Sequence, residues 1–294
     1  MTTSDNAGRF SLRFSSVDPE ARLGLPRGRF TTPSLITSGL LAGAMMAALY
    51  GTAYQFSHRA GSVGELAWTY LTGFDRVPIF IAMLTCWSLA ILFLKMLKIA
   101  GQRRALSFPI APRDPMWVLN GSTADGVIAR IGAGVEEPEQ FMYLRRTLGV
   151  LRTMRNIGRV GDVEELLDSR AGADEAVVDS GYNPVKAFIW GIPVLGFIGT
   201  VLGLTTATGN FGKVLSDPAM KQDLEALASG LTAVLGGLDT AFVTTAEGLI
   251  AAFFLYMSQM VVKQMDERLL DDVRDACSVE VVARVRIEDH RGGR

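Results

Sequence analysis

Residues 241–257 read AFVTTAEGLIAAFFLYM. The apolar run around them, about 238–262, meets the roughly 20 residues a membrane helix needs. Its acids are Asp239 at the edge and Glu247 inside. A carboxyl group in hydrocarbon is costly and marks function by default. What fold this stretch belongs to depends on whether the rest of the chain supplies partners for such a helix.

Three further stretches do. Residues 34–56 carry no charge; residues 77–94 end at Lys95 and Lys98; residues 187–211 form the third. The 294-residue chain is 49% hydrophobic with a net charge of −1. That balance excludes a global basic field for nucleic acid. Cys86 and Cys277 have no partners at metal-site spacing, and His58 and His290 stand alone. No catalytic triad and no phosphate loop is visible, so neither an enzyme nor a resident cofactor is expected. Residues 1–33 are polar and Arg-rich with no early apolar core, unlike a signal peptide.

Orientation follows from Lys and Arg in the connections. The segments 1–33, 95–186 and 263–294 together hold 25, against 4 in 57–76 and 211–237. Both termini and the 95–186 region are therefore expected on the cytoplasmic side. The expected division is an N-terminal arm (1–33), two spans with a short outer loop (34–94), a cytoplasmic helical region (95–186), two core spans (187–262) and a helical tail (263–294). The expected fold class is all-α, a polytopic membrane protein with four spans.

Within the cytoplasmic region, GQRRALSFPIAPRDP holds three prolines in a basic stretch and reads as a loop. Phe141, Leu144, Leu148, Leu151 and Met154 recur at helical spacing. Asp162 reads as the N-cap of another helix, with Glu165 three residues on. The tail residues Leu269, Val273, Cys277 and Glu280 make no clean apolar stripe. Arg145, Arg146, Arg152 and Arg155 form a basic run suited to a cytoplasmic contact or to a solvated face.

The third span carries Gly196, Gly199 and Gly203 on one face, with Thr200 among them and Pro193 toward its start. Small residues so spaced let helix backbones approach closely. In the fourth span Ala241, Thr245, Gly248 and Ala252 form a small-residue stripe. Thr240, Thr244, Glu247 and Ala251 form a second, more polar one. With outer ends at Gly209 and Leu238, Thr200 and Thr245 lie about 14 Å and about 10 Å deep at 1.5 Å per residue. Two hydroxyls at similar depth on neighbouring helices suit one polar path.

LGFIGTVLGL (195–204), followed after a connection by AFVTTAEGLIAAF (241–253), resembles the MotA/TolQ/ExbB proton-channel family. The resemblance covers about residues 184–270. It implies a homopentamer in the bacterial inner membrane around a dimer of single-span MotB/TolR/ExbD-like helices, whose aspartate carries the transported proton or sodium ion. It implies that Thr200 and Thr245 occupy the polar pore positions. Thr244 and Glu247, on the second stripe of the fourth span, are further candidates for the ion path, and Glu247 is expected to be protonated or hydrogen-bonded across helices to a threonine. Gly196, Gly199, Gly203 and Gly248 match close-packing positions, and Pro193, Ala241 and Ala252 extend the packing or partner-facing surface. The chain departs from the family at Thr240, where an acid is frequent, and at Glu247, where an apolar residue is. The rival readings are a transporter or a membrane scaffold without a rotating partner.

Overall fold

The computed structural model describes residues 12–57, 68, 76–110, 117–154, 160–216 and 224–286. The described elements are helices apart from one two-residue parallel pair, β1 (Leu12–Arg13) with β2 (Val135–Glu136), and an isolated parallel bridge between Leu119 and Val285. In order come α1 (Phe14–Val17), α2 (Pro19–Arg22), α3 (Leu35–Ser57), α4 (Val77–Leu106), α5 (Ala124–Gly134), α6 (Met142–Thr153), α7 (Val160–Ser180), α8 (Asn183–Ser216) and α9 (Leu224–Glu280). Helices α3, α4, α8 and α9 each contain a stretch long and apolar enough to cross a membrane. The 57–76 connection lies almost wholly outside the described residues, as do Arg155 and His290.

Three boundaries differ from the sequence reading. Helix α4 continues past Leu94 through Arg103 and Arg104, so GQRRAL is helix, not loop. The stretch lacks a helix breaker until Pro109, and a helix usually stops before the residue preceding proline. Basic residues in its last turn also favour the negative end of the helix dipole. Helix α9 starts at Leu224, well before residue 238. The residues added, LEALASGLTAVLGG, are rich in Leu and Ala and favour helix without being a separate hydropathy peak. Asp162 sits in the first turn of α7 and does not cap it, because that helix begins at Val160.

The chain forms two compact units. One contains residues 1–37, 93–182 and 261–294; the other contains 38–92 and 183–260. In the first, the periodic residues of α6 are buried as their spacing implies, with Phe141, Leu144, Leu148 and Leu151 almost inaccessible. They share this core with Val163 and Leu167 of α7 and with the end of α9. That end corrects the expectation of a blurred stripe: Leu269, Val273, Cys277 and Val281 are all buried. The stripe is continuous once Asp266, also buried, is counted on it and Val281 replaces Glu280.

Residues 18–34 of this unit are tied into it. Asp18 caps α2, its Oδ1 accepting from the Glu20 and Ala21 amides at 2.8 and 3.2 Å. Glu20 is fully buried and accepts from the Gly28 and Ser34 amides. The Lys98 ammonium closes on both acids, 2.6 Å from Glu20 and 2.9 Å from Asp18.

In the second unit, Val77 and Ile81 of α4 pack with Ile192 of α8 and Ala252 and Leu255 of α9. The remaining faces of these helices are strongly apolar and exposed, including Phe197, Phe242, Phe253 and Phe254. Contiguous exposed apolar surface of this kind fits a lipid or protein environment, not water.

Candidate functional site

The site is built where α8 and α9 touch within the second unit. Four glycines set the approach. A methyl group on Gly196 would stand 2.8 Å from the Thr244 carbonyl oxygen, and one on Gly203 would stand 2.6 Å from that of Gly237. A methyl on Gly248 would stand 3.0 Å from the Ile192 carbonyl oxygen, and one on Gly199 would collide with the Thr244 hydroxyl. Backbone thus meets backbone, which is what small residues permit. Ala241 and Ala252 are buried in the same unit. Pro193 lies inside α8, where it removes one ladder hydrogen bond.

Gly237 completes this surface and was missed by the sequence reading. A methyl there would lie 2.8 Å from the Ala207 amide nitrogen and 2.9 Å from the Gly203 carbonyl oxygen. Its spacing of four from Ala241 continued the stripe. Placing the helix start at residue 238 hid it.

Close approach brings two hydroxyls together. Thr200 and Thr245 share a hydrogen bond. The Thr200 Oγ1 also lies 3.1 Å from the Ala241 carbonyl oxygen across the helix pair and 3.3 Å from that of Gly196. Thr245 Oγ1 is 3.2 Å from the Gly196 carbonyl oxygen and 3.1 Å from that of Ala241. Two protons therefore serve two hydroxyl oxygens and two carbonyls, leaving acceptor capacity in excess. Both residues are half-buried, so one side of the cluster stays open. Such a group can rotate its hydroxyl protons to solvate a carboxyl group or a passing cation without carrying fixed charge.

The other two polar residues of this stretch do not join it. Thr244 is fully buried and donates to its own helix, to the Thr240 carbonyl at 2.9 Å. It is a packing residue against Gly199. Glu247 lines a different cavity, with Met45, Thr52, Thr85 and Cys86 among its walls. Its Oε2 is buried without a hydrogen-bond partner, so that oxygen does not make the expected bond to a threonine.

The basic run of α6 is held by its own unit. Arg146 is buried and its Nε binds Asp174 at 2.8 Å. Arg145 is half-buried, 3.5 Å from the same carboxylate, with its guanidinium over the Phe30 ring. Arg152 is exposed and pairs with Glu139 at 2.6 Å. Arg146 is thus engaged within its own unit through Nε, while its Nη2 is buried without a hydrogen-bond partner. Burial beside this pair pushes the Cys277 thiol up to about 11, against the opposing effect of Arg146. Burial likewise raises Tyr143 well above the usual phenol range.

A second charged centre also escaped the sequence. Lys95, at the end of the apolar run in α4, is wholly buried and binds Asp266 at 3.1 Å. Tyr182 donates to the same Asp266 oxygen at 2.7 Å, and its ring sits 3.9 Å from the ammonium. In the sequence Lys95 only marks the end of the second apolar run. Its only signal was that Asp266 falls in helical register with the buried tail residues.

The architecture is that of a multi-pass membrane protein with a paired-hydroxyl centre between two glycine-packed spans. Residues 148–275, from the end of α6 through most of α9, match the model of the MotA/TolQ/ExbB proton channel family. The match contains the whole threonine–glycine centre. No curated protein and no solved structure matches the chain.

Proposed function

We propose that this chain is the ion-channel subunit of an inner-membrane motor. Five copies surround a dimer of single-span MotB/TolR/ExbD-like helices, and ion motive force drives rotation or strain of that dimer. The observation that supports this most directly is the Thr200–Thr245 cluster on the two helices of the matched segment. Two hydroxyls with spare acceptor capacity and an open side suit a partner carboxyl that alternately holds and releases a proton or a sodium ion. The glycine surface beside them keeps the two helices close, so the cluster is positioned by backbone and not by flexible side chains. Both termini and the 95–186 region lie in the cytoplasm in this reading, as the Lys and Arg distribution supports.

The test is ion flux. The chain and its single-span partner are co-reconstituted in vesicles, and acidification is followed with a trapped dye. Thr200→Val and Thr245→Val are each expected to lower flux at least about tenfold, equivalent to 1.4 kcal/mol, with the complex still assembled. Thr→Ser at either position keeps the hydroxyl and should retain most of it. Full flux in both valine variants overturns the role of the pair. Flux from the chain without any partner would favour a self-contained transporter.

A further inference from the structure

The Glu247 cavity is used by nothing described so far. It lies within the second unit, between Met45–Thr52 of α3, Ile81–Leu89 of α4, and Glu247 and Ala251 of α9. Its volume is about 550 Å³, within the range of small-molecule sites. Most of the wall is aliphatic. The polar groups lining it are few and nearly all acceptors, with the Tyr50 phenol of α3 within electrostatic range of Glu247 and Cys86. Thr52 gives its proton to the Ala48 carbonyl at 2.8 Å, and Thr85 gives its own to the Ile81 carbonyl at 2.7 Å. Each hydroxyl oxygen is left with lone pairs only. Glu247 adds a carboxyl whose Oε2 is buried and unpartnered. Cys86 supplies only a weak donor.

An apolar chamber with unmatched acceptors and an acid calls for a ligand of opposite character: an apolar body ending in several N–H donors. A bare inorganic cation fits poorly, since hard cations draw six or more oxygens and the side chains here offer four. We propose that this cavity binds long-chain primary ammonium compounds, with the ammonium on Glu247 and the hydroxyl oxygens of Thr52 and Thr85, and the chain along Leu49, Ala82 and Leu89. The ion pair is the same whether the carboxyl enters charged or neutral, because a neutral acid passes its proton to the free amine. The occupant lies apart from Thr200 and Thr245, so this site stands independently of the proposed channel role.

The experiment uses the full chain in lipid nanodiscs at neutral pH. The probe is a long-chain primary amine carrying a diazirine, and the alcohol of the same chain is the uncharged control. After irradiation, labelled peptides are mapped by mass spectrometry. The amine is expected to label the Met45–Thr52 and Ile81–Leu89 segments at least about tenfold more than the alcohol. Glu247→Gln should remove that difference. Ala82→Phe, which fills the chamber and leaves the acid in place, should remove labelling by both probes there and so guards against a misfolded Glu247 variant. Thr200→Val should leave labelling unchanged. Equal labelling by amine and alcohol, or amine labelling that survives Glu247→Gln, overturns the proposal and marks the chamber as a plain lipid-facing hollow.

Discussion

At the scale of single residues, the chain spends charge where water is absent. Lys95 and Asp266 are both buried, and each is the other's main compensation. Removing one partner from such a pair strands a charge, at about 3–5 kcal/mol, whereas replacing both by apolar groups of similar size is often neutral. Asp266→Ala is therefore expected to destabilise the protein by about that amount in a detergent-based thermal unfolding assay. Lys95→Met with Asp266→Leu should recover most of the loss. A double variant no better than the single would show that Tyr182 and its hydroxyl bond to Asp266 carry the effect. Cys277 gives a second prediction. Its thiol is buried, which pushes it up to about 11, so iodoacetamide should fail to modify it at pH 8 unless the protein is first unfolded. In peptides the group titrates near about 8.5. Rapid native modification at pH 8 would contradict the burial of the tail stripe.

At the scale of elements, the glycines separate into two kinds. Gly203 and Gly237 face opposing backbone at distances that no side-chain carbon tolerates. Gly172 in α7 has nothing within 4 Å of where a methyl would go. Gly203→Leu should force α8 and α9 apart, costing about 1–3 kcal/mol of packing, and should abolish flux with the threonines intact. Gly172→Ala should stabilise by about 0.5–1 kcal/mol, the usual gain from removing a glycine inside a helix. The contrast explains what the sequence disclosed. Period and hydropathy exposed the four long helices, the α6 core and the small-residue faces, because these depend on spacing alone. The true starts and ends of α4 and α9 stayed hidden, since a helix does not stop where its hydropathy falls. The Lys95–Asp266 pair stayed hidden too, because ionic partners 171 residues apart leave no local trace. The separation of Glu247 from Thr245 was half legible: the helical wheel put them on different stripes, but which neighbours each stripe meets is a property of packing.

At the scale of the whole molecule, the apolar surface on the second unit suits a membrane, and the proposed function adds an assembly to it. The proposed arrangement predicts a mass corresponding to five copies of this chain and two of its single-span partner after co-purification, read by native mass spectrometry. A complex containing the chain alone, stable at that mass, would argue for a scaffold or transporter. The ratio tests the motor reading without assuming which ion moves.

The bond between Thr200 and Thr245 has one more consequence. With no other group present, both hydroxyl protons are already taken up within the cluster. An arriving ion or carboxyl must therefore compete with an existing arrangement, and it gains only the difference between the two. In the proposed channel such a centre would return to that arrangement whenever its visitor leaves. The direction of travel would then be set by whoever brings the visitor, not by the threonines.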